Sequence, residues 1–279
     1  MTNGLALSAP KDRALTPTAV QRLVIEFNRR FGLGNGALRK YGTALLEALR
    51  PGPIDHEYFG LRLRFFPPLR RSAHMLLSPG WSERRERAFI EEHMPPSGVF
   101  LDIGAHAGYY TFVVAGRRPN SRIISIEPVH EYAAVLEFNR RLNGLDRAAI
   151  EEVALSDHEG TAQFNRAKES MVLGAGTEEV RTTTLLQVLA SHQIHAIDCM
   201  KIDVEGIEDR VLMPFFKSSA RSLWPKALLI EHACRTHWKE DCLAFALANG
   251  YREQFRSTLN AGLVLDMEPS PRQRPSGPG

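Results

Sequence analysis

The chain is short of cysteine, of long apolar runs and of net charge. Its 279 residues include only three cysteines, Cys199, Cys234 and Cys242. Their spacing fits neither a metal site nor a disulfide framework, which suits a reducing, cytoplasmic setting. Cys199 and Cys234 lie in or beside apolar runs and read as small core residues. No apolar stretch reaches the ~18 residues that a membrane span needs. Residues 1–10 lack a basic segment followed by a long apolar core, so no secretory signal is expected. A formal net charge of +3 argues against nucleic-acid binding by the chain as a whole. The charge is uneven, however. Arg29, Arg30, Arg39, Arg50, Arg62, Arg64, Arg70, Arg71, Arg84, Arg85 and Arg87 make the first third basic. They suit either a solvated helix surface or a site for an anionic partner.

What is present is enough apolar sequence for a full core, 43% of residues, arranged in two styles. Residues 1–15 are polar and read as a loose N-terminus. From 18 to 49 apolar residues recur at helical spacing, and Gly32, Gly34 and Gly36 divide them into two helices. Residues 57–78 alternate and suggest short strands in a cap. Residues 81–93 read as a helix with Ser82 as N-cap. From Gly98 the pattern becomes strand–helix–strand. Strands are expected at 98–103, 122–127, 149–154, 198–203 and 226–231, and helices near 108–117, 130–142, 182–192, 206–214 and 237–249. A closing pair of strands, near 251–256 and 261–266, suggests an antiparallel edge. Strands that are apolar almost throughout imply a mostly parallel sheet with helices on both faces. The division is therefore a helical cap extension over 16–97, an α/β domain over 98–268, and a disordered Pro-, Ser- and Gly-rich tail over 269–279.

In an open parallel sheet, ligands sit beyond the carboxyl ends of the strands. Here those ends carry acids: Asp102, Glu127, Asp157, the pair Asp203 and Glu205, and Glu231. The first strand runs into Asp102-Ile-Gly104-Ala-His106-Ala-Gly108. A dinucleotide loop wants G-x-G-x-x-G so that pyrophosphate can lie on a helix N-terminus. This loop has no third glycine, and a ring of carboxylates would repel pyrophosphate. A cofactor with ribose hydroxyls, an amino group and a sulfonium fits better. Glu127 offers two acceptor oxygens to a ribose, and Asp157 can accept from an adenine amino group. Those demands describe S-adenosyl-L-methionine.

The ordered set Asp102-Ile-Gly-Ala-His-Ala-Gly-Tyr-Tyr-Thr111, Glu127-Pro128, Asn139-x-x-x-Asn143, Ala154-Leu-Ser-Asp157 with Gly160, Thr182-Thr-Thr-Leu185 and Lys201-Ile-Asp-Val-Glu-Gly206 resembles the FkbM family of S-adenosylmethionine-dependent methyltransferases. The resemblance spans about residues 80–235. It implies the class I methyltransferase sandwich, Rossmann-like, with a seven-stranded and mostly parallel sheet. It also implies methylation of hydroxyl groups on polyketides, sugars and similar acceptors. By position, Asp102, Gly104 and Gly108 match the cofactor loop, in which His106 is also expected to touch the cofactor, Glu127 matches the ribose acid and Asp157 the adenine-side acid. Lys201, Asp203, Glu205 and Gly206 match the signature beside the methyl group. Two positions depart from the family pattern: His106 stands where Asn is usual, and Leu186 where an Asp follows the Thr-Thr-Leu.

Methyl transfer from a sulfonium is an in-line displacement, so the acceptor oxygen must be held about 3 Å from the methyl carbon. A hydroxyl acceptor also needs a base within hydrogen-bond reach. The sequence offers Asp203, Glu205, Glu231, His232 and His106. Asp203 or Glu205 is the favoured base, with Lys201 as electrostatic partner and His232 in reserve. No spacing demands a metal. The expected function is O-methylation of a small-molecule or carbohydrate hydroxyl. The alternatives are a catalytically silent cofactor-binding module and a nucleic-acid methyltransferase. The chain has no Asn/Asp-Pro-Pro-aromatic element of the amino-methylating enzymes, and nucleic acid is not the expected partner.

Overall fold

The computed structural model describes residues 15–33, 38–78, 83–165, 170–171 and 178–266. Ser82, the Gly174–Gly176 segment, most of the N-terminal stretch and the C-terminal tail lie outside these residues.

The core is a seven-stranded sheet built from β3 (Val99–Ile103), β4 (Arg122–Ile126), β5 (Ala148–Glu151), β10 (Cys199–Ile202), β11 (Ala227–Glu231), β12 (Tyr251–Arg256) and β13 (Asn260–Leu265). Their order across the sheet is β12-β13-β11-β10-β3-β4-β5. Neighbours run parallel from β11 to β5, and β13 lies antiparallel to both β11 and β12. The order reverses at β3 and β10, which places a ligand crevice at their carboxyl ends.

Side chains alternate between the two sheet faces. Leu101, Ile103, Met200 and Ile202 join one buried cluster with α7 (Leu185–Ser191), α8 (Glu208–Ser218) and α9 (Cys242–Ala248). Phe100 and Cys199 point the other way, toward α4 (Arg84–His93) and α5 (Tyr109–Arg117). On that side α6 (His130–Leu142) carries Leu136 into a third cluster. The same alternation directs Asp102 and Lys201 to the α5 face. Helix α8 runs four residues past the expected end and passes through Pro214. Proline removes one backbone bond there, and the buried Val211, Leu212, Phe215 and Phe216 anchor the helix on both sides of it.

The cap holds α1 (Ala19–Phe31), α2 (Leu38–Leu49), a hairpin of β1 (Ile54–Tyr58) and β2 (Leu61–Phe65), and α3 (Arg70–Leu77). The strands expected over 57–78 therefore end at Phe65. The rest is helix, because Ala73, Leu76 and Leu77 face the core at helical spacing. The hairpin is pinned inside by Arg64, whose Nε and Nη2 donate to Asp55 at 2.6 and 3.0 Å. It is pinned to the main domain by Asn139, which both donates to and accepts from the Arg64 backbone.

A small second sheet has the order β6-β9-β7-β8, with β6 (Ala154–Leu155), β7 (Gly160–Asn165), β8 (Ser170–Met171) and β9 (Glu178–Thr183). It takes the end of the strand expected at 149–154 and much of the segment read as a loop over 158–181. Its two longer strands, β7 and β9, are too polar to signal themselves. Cys234 is half-buried rather than a core residue, and Cys242 is buried in its place.

Candidate active site

The loop after β3 is built by conformations that ordinary side chains resist. Gly104 has φ +73°, and a Cβ there would lie 1.8 Å from the Asp203 carbonyl oxygen. Gly108 has φ +90°, and a Cβ would meet Leu136 and Phe112 at 2.5 Å. Such left-handed positions with close neighbours require glycine. The loop is tied to the end of β4 by the Gly104 and Ala105 N–H groups, which both donate to the Ile126 carbonyl.

His106 is also left-handed, at φ +49°. This is a conformation that Asn, Asp and His adopt more readily than most residues. Here the strain is offset locally. The His106 N–H donates to Glu127 Oε2 at 2.8 Å, and its ring Nδ1 lies 3.0 Å from the Gly104 carbonyl. A carbonyl only accepts, so that contact assigns the proton to Nδ1.

Glu127 accepts from two backbone donors, His106 through Oε2 and Val129 through Oε1 at 2.9 Å. Each oxygen keeps a lone pair, and the residue lines a cavity. Burial pushes its carboxyl up to about 7, against the pull of the Val129 and His106 N–H groups. The cavity walls include Ile103, Ile126, Val129, Leu155 and Phe164, with Asp203 and Glu205 at one side. An apolar slot with a two-oxygen acceptor and an acid beside it fits an adenosine with its ribose and sulfonium.

Asp203 also lines a second cavity of about 500 Å³ and a cleft of about 1200 Å³. Both of these are walled by Arg71, His74, Glu83, Tyr110 and Lys201, and the cleft adds Glu86, Glu231 and Asn260. Asp203 is thus the point where the slot at Glu127 and the cleft meet. Lys201 Nζ donates to the Gly104 carbonyl at 3.0 Å, lies 3.5 Å from Asp203 and sits over the Tyr110 ring. For Asp203, burial favours the protonated form, but Lys201, His106 and Arg71 outweigh it and hold the carboxyl below its usual range.

Two other acids on the cleft behave oppositely to Asp203. Burial, reinforced by Asp203 and Glu208, pushes Glu231 up to about 7. Its Oε1 accepts from the Ala233 N–H, while Oε2 is buried without a partner. Burial also pushes Glu83 up to about 7, with Lys201 opposing. His74 is driven down to about 4, first by burial and then by Arg39, Arg71 and Arg70, and is neutral at physiological pH. Asp203, Glu208 and Glu231 each offer one oxygen, all within 4.8 Å of one another. Glu208, however, is committed to the turn: it accepts from the Val204 and Gly206 N–H groups and from Trp238 Nε1.

The structure therefore gathers Gly104, His106, Glu127, Lys201, Asp203 and Glu205 around one site. It places four expected site residues elsewhere. Asp102 is buried behind the loop and anchors the start of α5, accepting from the Thr111 N–H and hydroxyl at 2.9 and 2.6 Å. Gly108 is the pivot into that helix and lines none of the three cavities. Asp157 faces solvent, where it accepts from Ser156 Oγ and pairs with His158. His232 lines none of these cavities either. Glu205 is half-buried and tied to Arg71 of α3 at 2.7 Å. Arg71 lies on α3 and Glu83 just before α4, and no local motif marks either.

A family model described as the methyltransferase FkbM domain matches residues 102–252, just over half of the 279 residues. The chain belongs to the FkbM methyltransferase family. The sheet order, with its single reversed strand β13 next to the edge, is that of the class I methyltransferases. The cofactor of this FkbM protein is S-adenosylmethionine, and the acceptor oxygens of Glu127 in the apolar slot fit its ribose hydroxyls. An FkbM methyltransferase structure from Methylobacillus flagellatus KT is 15% identical, with a TM-score of 0.42, over 81% of this chain and 58% of that one. The chain thus spans somewhat over half the length of that relative. TYW2 from M. jannaschii, in complex with AdoMet, is 14% identical (TM-score 0.41) over 77% of this chain and 87% of its own. The METTL16 methyltransferase domain is 13% identical (TM-score 0.46) over 83% and 80%. No curated protein matches the chain. Among the described residues, no helix of this FkbM protein is long and apolar enough to cross a membrane.

Proposed function

We propose that this protein transfers the methyl group of S-adenosylmethionine to a hydroxyl of a small-molecule or carbohydrate acceptor bound in the cleft, with Glu231 accepting the hydroxyl proton. One observation carries the reading. Asp203, held ionised beside Lys201, stands where the cofactor slot meets a cleft that also presents a carboxyl near neutrality with a free buried oxygen. Asp203 balances the sulfonium; its lowered affinity for protons makes it a poor base. Glu205 is engaged by Arg71, and His232 stands outside. Glu231 has the proton affinity a general base needs near pH 7. When bound, the cofactor supplies the electrophilic methyl carbon. Glu127 holds its ribose hydroxyls, the apolar slot excludes water around the adenine, and Lys201 fixes the loop through the Gly104 carbonyl. In this reading residues 16–97 form the acceptor-side cap and 98–268 the transfer core.

The test is calorimetry with S-adenosylmethionine, followed by product release with a panel of alcohols and sugars. Glu231→Gln is expected to leave cofactor affinity within about twofold and to lower turnover on the order of 10²–10³-fold, the usual worth of a general base. Unchanged turnover in that variant refutes the role given to Glu231. Cofactor binding with no hydroxyl methylated leaves a silent binding module. Salt-sensitive binding of RNA or DNA, with a methylated base as product, moves the acceptor to nucleic acid.

A further inference from the structure

The two N-terminal helices pack the wrong way round for a free surface. Helix α1 turns Gln21 and Asn28 inward with Ile25, while Val20, Leu23, Phe27 and Phe31 point to solvent. The inward polar groups are satisfied: Gln21 Nε2 donates to the Leu46 and Arg50 carbonyls, and Asn28 Nδ2 to the Val24 carbonyl. Helix α2 buries Gly42 and Leu46, and exposes Leu38, Tyr41, Leu45 and Leu49. Tyr41 is 74% exposed and Leu23 66%. Both outward sets repeat at three- and four-residue spacing, the pattern that seats one helix against another.

The two stripes meet. Leu23, Phe27, Phe31 and Leu45 line one open groove of about 840 Å³, and the Phe27 and Phe31 rings are 4.7 Å apart. Together the eight side chains expose on the order of 600 Å² of apolar surface. That is at the upper end of the largest patch on an ordinary monomer. A stable protein pair takes about 800 Å² from each partner, which the stripe and its polar rim would supply. The rim carries both signs, Glu26 and Arg30 on the same groove. In a two-fold contact each residue meets the partner's equivalent set, so Glu26 of one copy can face Arg30 of the other. An anionic lipid surface would gain from Arg30 but be opposed by Glu26.

We propose that α1 and α2 are a dimer interface, occupied by the same hairpin of a second copy in a two-fold four-helix arrangement. The hairpin packs on α3, which carries Arg71 to Glu205. The second copy therefore braces the wall of the cleft from outside. The inference is independent of which acceptor is methylated.

Sedimentation velocity and light scattering on the purified full-length protein test it. The wild-type chain is expected at twice its monomer mass at micromolar concentration. Phe27→Asp and Tyr41→Asp are each expected to raise the dimer dissociation constant at least a hundredfold, with unchanged far-ultraviolet circular dichroism and unchanged S-adenosylmethionine affinity. Phe27→Ala should weaken the pair by a smaller factor, since it removes area without adding charge. A wild-type chain that stays monomeric overturns the proposal. So does a dimer that both Asp variants leave intact. Flotation of a monomeric wild-type chain with anionic vesicles would assign the face to a membrane instead.

Discussion

In the proposed reading, Glu127 couples cofactor binding to a proton. Its carboxyl is driven up to about 7 by burial. A ribose hydroxyl donates to the ionised form, which is acceptor-only. Binding should therefore release a proton whenever Glu127 holds one. With a value near 7, the apparent dissociation constant rises by a factor of roughly 1 + 10^(7−pH), about elevenfold at pH 6 and about twofold at pH 7. The same shift has a stability consequence of opposite direction. The folded value lies above the ordinary 4.5, so the folded state holds this proton more tightly. The stabilisation is full below about 4.5 and is lost as pH rises through about 7, on the order of 2–3 kcal/mol. Glu83 and Glu231 push the same way. The unliganded protein should melt at lower temperature at pH 8 than at pH 5.5, and the cofactor should recover part of the difference.

Calorimetry from pH 5.5 to 8.5, repeated in two buffers of different ionisation enthalpy, measures both the affinity and the proton count. Glu127→Gln removes the titration and leaves one acceptor oxygen in place of two. Either the His106 or the Val129 N–H then loses its partner, and a ribose hydroxyl loses a charged acceptor. Affinity at pH 8 should fall about 10- to 100-fold, and the slope with pH should vanish. His106 and Asp203 also line this slot, and the charges of Lys201 and Arg71 reach Glu127, so the control is Glu231→Gln, in which the slope should persist. A flat profile in the wild type, or a slope that survives Glu127→Gln, would refute the reasoning.

Gly104→Ala should abolish cofactor binding and lower the melting temperature in a thermal scan. Its Cβ would sit 1.8 Å from a backbone oxygen, and backbone cannot yield as a flexible side chain can. Asp55→Ala should cost about 3–5 kcal/mol in urea unfolding, because it removes the carboxylate that pairs with the almost fully buried guanidinium of Arg64; a loss below 1 kcal/mol would show that the pair adds little to stability.

The main sheet was legible because its strands announce themselves twice, by apolar runs and by the acids at their ends. The helix 130–142 is read to the residue, and the paired late strands almost so. The second sheet was not legible. β7 and β9 alternate polar and small residues with few apolar ones, and β8 is two residues long; such strands exist through pairing rather than through burial. Helix α3 was hidden because Arg70-Arg71-Ser72 opens it without an N-cap. Within the site, the residues that touch a cavity were found where backbone chemistry selects them, as at Gly104 and Glu127. The residues that only hold the loop, Asp102 and Gly108, carry the same signature, so sequence pattern could not separate contact from support.

Lys201 shows why the assignment of the base needed three dimensions. In sequence it stands two residues from one acid and four from another, and either could serve as its partner. In the fold its Nζ is spent on the Gly104 carbonyl and on Asp203. Its field reaches Asp102 and Glu83 as well. One cation cannot offset every carboxyl around it in a buried setting, so the acids divide. Asp203, in direct contact, stays ionised. Glu231, beyond that contact and next to Asp203 and Glu208, is pushed toward holding a proton. Two carboxyls at adjacent strand ends, equal in the sequence, thus differ in proton affinity, which is what the proposed roles require: a fixed charge for the sulfonium and a proton acceptor for the cleft. The same division predicts that Lys201→Met would raise the Asp203 carboxyl and lower cofactor affinity before it altered the base.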